Sequence, residues 1–167
     1  MDVGFLSTKS TKDLTVFPLY RDRLMGVVPK GFRIRNNGFI TPQEMGEETF
    51  VVQDDATDAD TQAFLSKYGF SVRASCRVVD DLSTIAMVES GFGISILPSL
   101  ILERTHGDVD AYPIEPMEYR EFGIAVQNPQ MIAPAVRQMA AHIEAYAKSR
   151  RAEDPETNAG FDPRMVF

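Results

Sequence analysis

Apolar and polar positions along the chain alternate between short apolar runs and segments of helical period. Residues 3–6 read as a short strand, followed by a polar loop over residues 7–13. "LTVFPLYRDRLMGVVPKG" alternates and then runs apolar from Leu24 to Val28, closed by Pro29 and Gly31. That predicts a long extended segment ending in a turn. "TPQE", with Thr41 and Glu44 at capping-box spacing and Pro42 first inside, starts a helix that Gly46 keeps short. "TFVVQ" predicts a buried strand over residues 49–53. In "DDATDADTQAFLSKYGF" a polar loop leads into a helix capped by Asp58 or Asp60. Its apolar side is Phe64, Leu65 and Tyr68, and Gly69 ends it.

"SVRASCRVV" alternates as a strand, and "DDLSTIAMVESG" repeats the helical arrangement with Asp80 or Asp81 as cap. Leu82, Ile85, Ala86 and Met87 are expected inside, with Gly91 as terminator. "GISILP" is a short strand, residues 99–104 a short helix, and "DVDAYPIE" and "REFGIAVQN" two more strands. Pro134 opens a helix with Val136, Met139, Ala140, Ile143 and either Tyr146 or Ala147 on one face. From residue 151 the sequence is turn-rich and aperiodic, and is expected to be loose. Strands alternating with helices predict an α/β fold with a largely parallel sheet. Ligands in such folds sit at the carboxyl ends of strands against helix N-termini, which directs attention to the loops after Gln53 and Val79.

Composition narrows the function classes. With 167 residues the chain makes one ordinary domain or two small lobes, and 44% hydrophobic with 25% charged residues is globular composition. No apolar run approaches the roughly 18 residues of a membrane span, and the acid at Asp2 argues against a secretory leader. Cys76 is the only cysteine, which rules out an internal disulfide and fits a reducing compartment, so cytoplasm is expected. The net charge is −7 without a Lys/Arg stripe, a poor basis for holding DNA. "AKSRRAE" reads as a helix end whose cations offset the dipole.

Candidate chemistry is sparse. Gly91 and Gly93 match no phosphate-loop pattern and read as a helix stop and a tight reversal. Asp54, Asp55, Asp58 and Asp60 fail as a calcium loop: counted from Asp58, Ala63 stands where glycine is needed and Gly69 where the bidentate glutamate belongs. His106 and His142 lack a second ligand at helical spacing, so no metal is expected. Cys76 reads as a small buried hydrophobe. Ser95 and Ser99 have no GxSxG elbow, so neither catalysis nor a cofactor is indicated. "DDLST" alone has a binding rationale, since hydroxyls and free N–H groups at a helix start hold anions. The alternative, that Ser83 and Thr84 only satisfy the helix's own first turn, is equally compatible with the sequence.

"DVGFL", "FPLYRDRLMGVVPKG", "VVDDLSTIAMVESGFGISILPSLILE" and "APAVRQMAAHI" stand in an order that resembles the effector-binding (substrate-binding) domain of LysR-type transcriptional regulators. The resemblance implies a two-lobed fold like that of type 2 periplasmic binding proteins, with lobe II complete and lobe I partial. Residues 1–20 would end lobe I, 21–110 form lobe II, 111–150 return to lobe I with a closing helix, and 151–167 form a loose tail. It further implies that Asp54, Asp55, Ala56, Thr57, Leu82, Ser83 and Thr84 wall the effector cleft. The local acids argue against a dianionic effector. DNA would be reached only through a winged helix-turn-helix that this sequence does not include. Ala133 in place of a capping serine, and "GFRIRNN" in place of a shorter turn, depart from the family pattern. Three functions follow: effector sensing in a LysR-type regulator, a periplasmic-binding-protein-type module unconnected to transcription, or an α/β enzyme. The first accounts for most of the chain. A partial lobe I is expected to expose strand edges and to self-associate.

Overall fold

The computed structural model describes residues 3–9, 14–53, 59–69, 73–128, 132–159 and 161. The chain divides into unit 1, Met1–Asp22 with Tyr119–Phe167, and unit 2, Arg23–Glu118.

Unit 2 holds antiparallel strands bridged to a two-stranded parallel sheet, with both faces covered. The strands are the second half of β2 (Thr15–Pro29), β3 (Thr49–Gln53), β4 (Arg73–Val78), β5 (Ser95–Pro98) and β6 (Val109–Pro113). β2 pairs antiparallel with β5, from Leu24 opposite Pro98 to Val27 opposite Ser95. It also pairs antiparallel with β6, from Met25 opposite Pro113 to Pro29 opposite Val109. β3 and β4 are parallel, and β3 is tied to the start of β5 by Val51 N–H on the Ile94 carbonyl and Ile94 N–H on the Thr49 carbonyl, both 2.9 Å. The largely parallel sheet expected from the sequence is therefore corrected to a mixed one. Helix α2 (Ala59–Lys67) enforces the parallel sense only between the strands it connects. The alternation of elements says nothing about which strands a long segment such as β2 will meet.

The two covered faces explain why β3 reads as an unbroken apolar run. Phe50 and Val52 enter one core with Leu24, Val28, Ile40, Met45, Ile94 and Ile96. Val51 enters the other with Val27, Val78, Ile85, Val88 and Leu97. A strand buried on both sides has no polar face to show.

Two turns fix the helix ends around this sheet. α1 (Pro42–Gly46) begins with the full capping box: Thr41 Oγ1 accepts from Glu44 N–H, and the Glu44 carboxylate accepts from Thr41 N–H. Glu44 also takes the Arg35 N–H at 2.7 Å and the Asn36 amide at 3.2 Å, which folds the "RN" of the unusual turn back onto the helix. α3 (Asp81–Glu89) ends in a Schellman motif, with Gly91 N–H on the Val88 carbonyl and Phe92 N–H on the Met87 carbonyl. Gly91 has φ 78° there, and Gly93, at φ 148°, lies so close to β3 that a Cβ would stand 2.4 Å from the Thr49 carbonyl oxygen. The short helix after β5 is α4 (Ser99–Leu102).

In unit 1, β1 (Gly4–Ser7) pairs antiparallel with β7 (Tyr119–Val126), from Gly4 opposite Ala125 to Ser7 opposite Phe122. β7 neighbours the first half of β2. Helix α5 (Pro134–Glu153) buries Ala140 and Ala147, while Tyr146 is 62% exposed. Of the two candidates for that face, the helix turns Ala147 inward. α5 starts at Ala133 without a side-chain cap. The loose tail expected from residue 151 is corrected in its first half: α5 runs on to Glu153, and Thr157 and Asn158 are buried. The aperiodic sequence hid this because polar side-chain contacts, not an apolar stripe, hold the segment.

Candidate functional site

The carboxyl ends of β3 and β4 and the start of α3 lie together in unit 2. Asp80 is the α3 N-cap: its carboxylate accepts the Ser83 N–H at 2.7 Å. That N–H, then the Ser83 hydroxyl, hold the Asp80 carboxyl below the usual carboxylate range. One turn on, Thr84 is fully buried and donates its hydroxyl to the Asp80 carbonyl at 2.9 Å. Gln53, the last residue of β3, sends Nε2 to Asp81 Oδ1 at 2.6 Å and to Thr84 Oγ1 at 3.2 Å. The strand end and the helix start are thereby locked together.

These contacts separate the two readings of "DDLST". Thr84 and the Ser83 N–H are used internally, and the negative charge that a helix N-terminus attracts is already supplied by Asp80. What faces outward is different in kind. Leu82 is 67% exposed and Val79, at the end of β4, is 70% exposed. Ser83, which follows Leu82 and is half-buried, turns its hydroxyl to Asp80. The expectation that Leu82 lies inside α3 is corrected, since the inward residues are Thr84, Ile85 and Val88. A hydroxyl takes an inward position because Gln53 and the Asp80 carbonyl satisfy it there. Of the other residues expected at this site, Asp54, Asp55, Ala56 and Thr57 lie outside the described residues.

In the sequence Gln53 and Val79 mark only the residues before the two loops, not members of the site. A polar residue closing the run "TFVV" was the available signal for Gln53. A valine placed just past the strand, where its neighbours are polar, was the signal for Val79.

Elsewhere the chemical groups are occupied or dispersed. Ser95 is buried and donates to the Val51 carbonyl at 2.8 Å, which withholds it from nucleophilic work. His106 belongs to unit 2 and His142 to unit 1. Among the described residues no three His, Cys, Asp or Glu side chains gather in a metal-holding group. Cys76 is half-buried in β4.

The model of the LysR substrate-binding domain matches residues 1–148. The chain belongs to that family. It is thus the effector-sensing part of LysR-type transcriptional regulators, on a type 2 periplasmic-binding-protein-like fold. Solved structures agree in fold. The effector-binding domain of QuiR in complex with shikimate has a TM-score of 0.75 at 22% identity, covering 89% of this chain and 73% of that one. The CcmR regulatory domain of Synechocystis PCC6803 in complex with 2-PG has a TM-score of 0.74 at 16% identity, covering 88% and 74%. Full-length BenM, as an E226K mutant, has a TM-score of 0.72 at 17% identity, and the match covers 99% of this chain and 54% of BenM. The chain thus spans about half of a full-length regulator of this kind. No curated protein matches the sequence. Among the described residues no helix is long and apolar enough to cross a membrane.

Proposed function

We propose that this LysR substrate-binding domain senses a small-molecule effector at the carboxyl ends of β3 and β4, through Leu82, Ser83 and Val79 and through the loop carrying Asp54, Asp55 and Thr57. Thr84 acts there by holding α3 in place. The observation that carries the reading is the pair of exposed apolar side chains, Val79 and Leu82, at a strand-to-helix junction whose polar groups are internally satisfied. Such a surface favours a ligand with an apolar body. Asp80 and Asp81, with the loop acids, disfavour a dianion, because like charges within about 8 Å repel at physiological salt. The effector is therefore not a dianion, and its binding shifts a conformational equilibrium without any catalysis, cofactor or metal.

In this reading the domain works in the cytoplasm, and DNA is contacted through a helix-turn-helix part outside this sequence. The net charge of −7 supports that division of labour. Exposed Phe5 on β1, with Met139 and Tyr146 on α5, supports self-association through unit 1. A thermal-shift screen with matched sets of neutral, cationic and dianionic small molecules tests the assignment. A hit present at about 100 times its Kd stabilises the fold by about 2.7 kcal/mol. Leu82→Asp should abolish the shift. Hits confined to dianions, or a shift that Leu82→Asp leaves intact, would overturn it.

A further inference from the structure

Residues beyond 148, where the family match ends, converge on one stretch of β2. The Arg151 guanidinium donates to the Leu19 carbonyl. Asn158 takes the Arg21 N–H on Oδ1 at 3.0 Å and offers Nδ2 to the Arg21 carbonyl at 3.4 Å. One side-chain amide thus makes the pair of bonds that a residue of an adjoining strand would make. Its Nδ2 also reaches the Asp154 carbonyl at 3.0 Å, and Thr157 N–H bonds Asp154 Oδ1 at 3.2 Å, so the segment is folded around its own anchor. The Arg21 side chain completes the attachment. It bonds Glu121 at 2.8 Å and the Ala159 carbonyl at 3.4 Å, with its guanidinium 4.4 Å from the Tyr119 ring centre and 5.0 Å from that of Phe161. Thr157 is 2% exposed and Asn158 8%.

We infer that residues 151–159, together with Phe161, form a strap that closes the backbone of β2 at Leu19–Arg21. Displacing the strap frees that stretch to open locally. The position gives it regulatory reach, because β2 carries the chain out of unit 1 one residue later, after Asp22. An unpaired strand backbone exchanges its partners for water, and local opening is governed by the weakest such contacts. A partner that competes for Asn158 or Arg151 would loosen the strand without touching α3.

Residue-resolved hydrogen exchange on the full chain tests this. In Asn158→Ala the Arg21 amide should lose at least about tenfold of its protection, while the amides of Phe50 and Val52 keep theirs. Asn158→Asp retains the Oδ1 acceptor but sets a carboxylate oxygen against the Arg21 and Asp154 carbonyls, so the Arg21 amide should keep only part of its protection. Arg151→Gln, which spares Asn158, should weaken protection around Leu19 to a smaller degree. Protection of Arg21 within twofold of the parent in Asn158→Ala would overturn the strap. So would a loss shared equally by Arg21 and Phe50, since that would mark a general destabilisation.

Discussion

In unit 2, β2, β3 and β5 send successive side chains into two apolar layers, with Phe50 and Ile96 on one side and Val51 and Leu97 on the other. In unit 1 the same strand β2 buries Leu19 and Tyr20 and also presents Arg21 and Asp22 to Glu121, Arg120 and Asn158, so that ion pairs and amide hydrogen bonds are added to apolar burial. One strand therefore gains polar attachment along part of its length. Apolar burial tolerates many residue choices but suffers badly from cavities, whereas polar attachment depends on a few specific groups being present. The difference predicts a graded response to substitution.

The largest effect is expected in unit 2. Phe50→Ala opens a cavity at a fully packed position and should cost about 3–5 kcal/mol, read from the denaturant midpoint. A cost below about 1 kcal/mol would mean that the two-layer core is not what holds this unit. Unit 1 is expected to respond less. Asp22 is completely buried and takes both Arg120 Nε and Nη2 on one oxygen, at 3.1 and 3.0 Å. Asp22→Ala should cost about 2 kcal/mol, discounted from a fully buried pair because Arg120 retains some contact with water.

Glu44 brings polar attachment into unit 2. Burial alone pushes its carboxyl up, but the Thr41 N–H and hydroxyl, the Arg35 N–H and the Asn36 amide together hold it below the ordinary glutamate value. A depressed carboxyl stabilises the fold above its unfolded value, and that contribution is lost as pH falls through the folded value. Acid titration should therefore destabilise the parent below about pH 4.5, and Glu44→Gln should flatten that part of the curve. Glu44→Gln should cost about 1–2 kcal/mol at neutral pH. The smallest effect is expected at the proposed effector face. Ser83→Ala should leave stability within about 0.5 kcal/mol of the parent while weakening effector binding.

Much of unit 2 was legible because local rules and the fold agree there. The run "TFVV", the "TPQE" capping box and Gly91 each met the strand, cap and stop that their chemistry implies. The inward face of α3 was not legible, because the Thr84 hydroxyl is satisfied there in part by Gln53, 31 positions earlier in the chain. A hydropathy pattern cannot show a hydrogen bond of that range. The same limit hid the role of Arg35 and Asn36, and the attachment of Asn158 to β2, since each depends on a carboxylate or amide at a distance. At the candidate site, the position of the helix start was readable from "DDLST". That its anion-holding donors are already used, and that Leu82 and Val79 face outward, emerged only with the structure.

Effector binding is proposed to centre on the β4–α3 junction. Titrating a hit from the ligand screen into isotope-labelled chain, and following the backbone amides by NMR, tests it most directly. The account predicts the largest perturbations over residues 54–57 and 79–84, lost in Leu82→Asp. Perturbations centred on α5 or on residues 151–161, with none over 79–84, would contradict it.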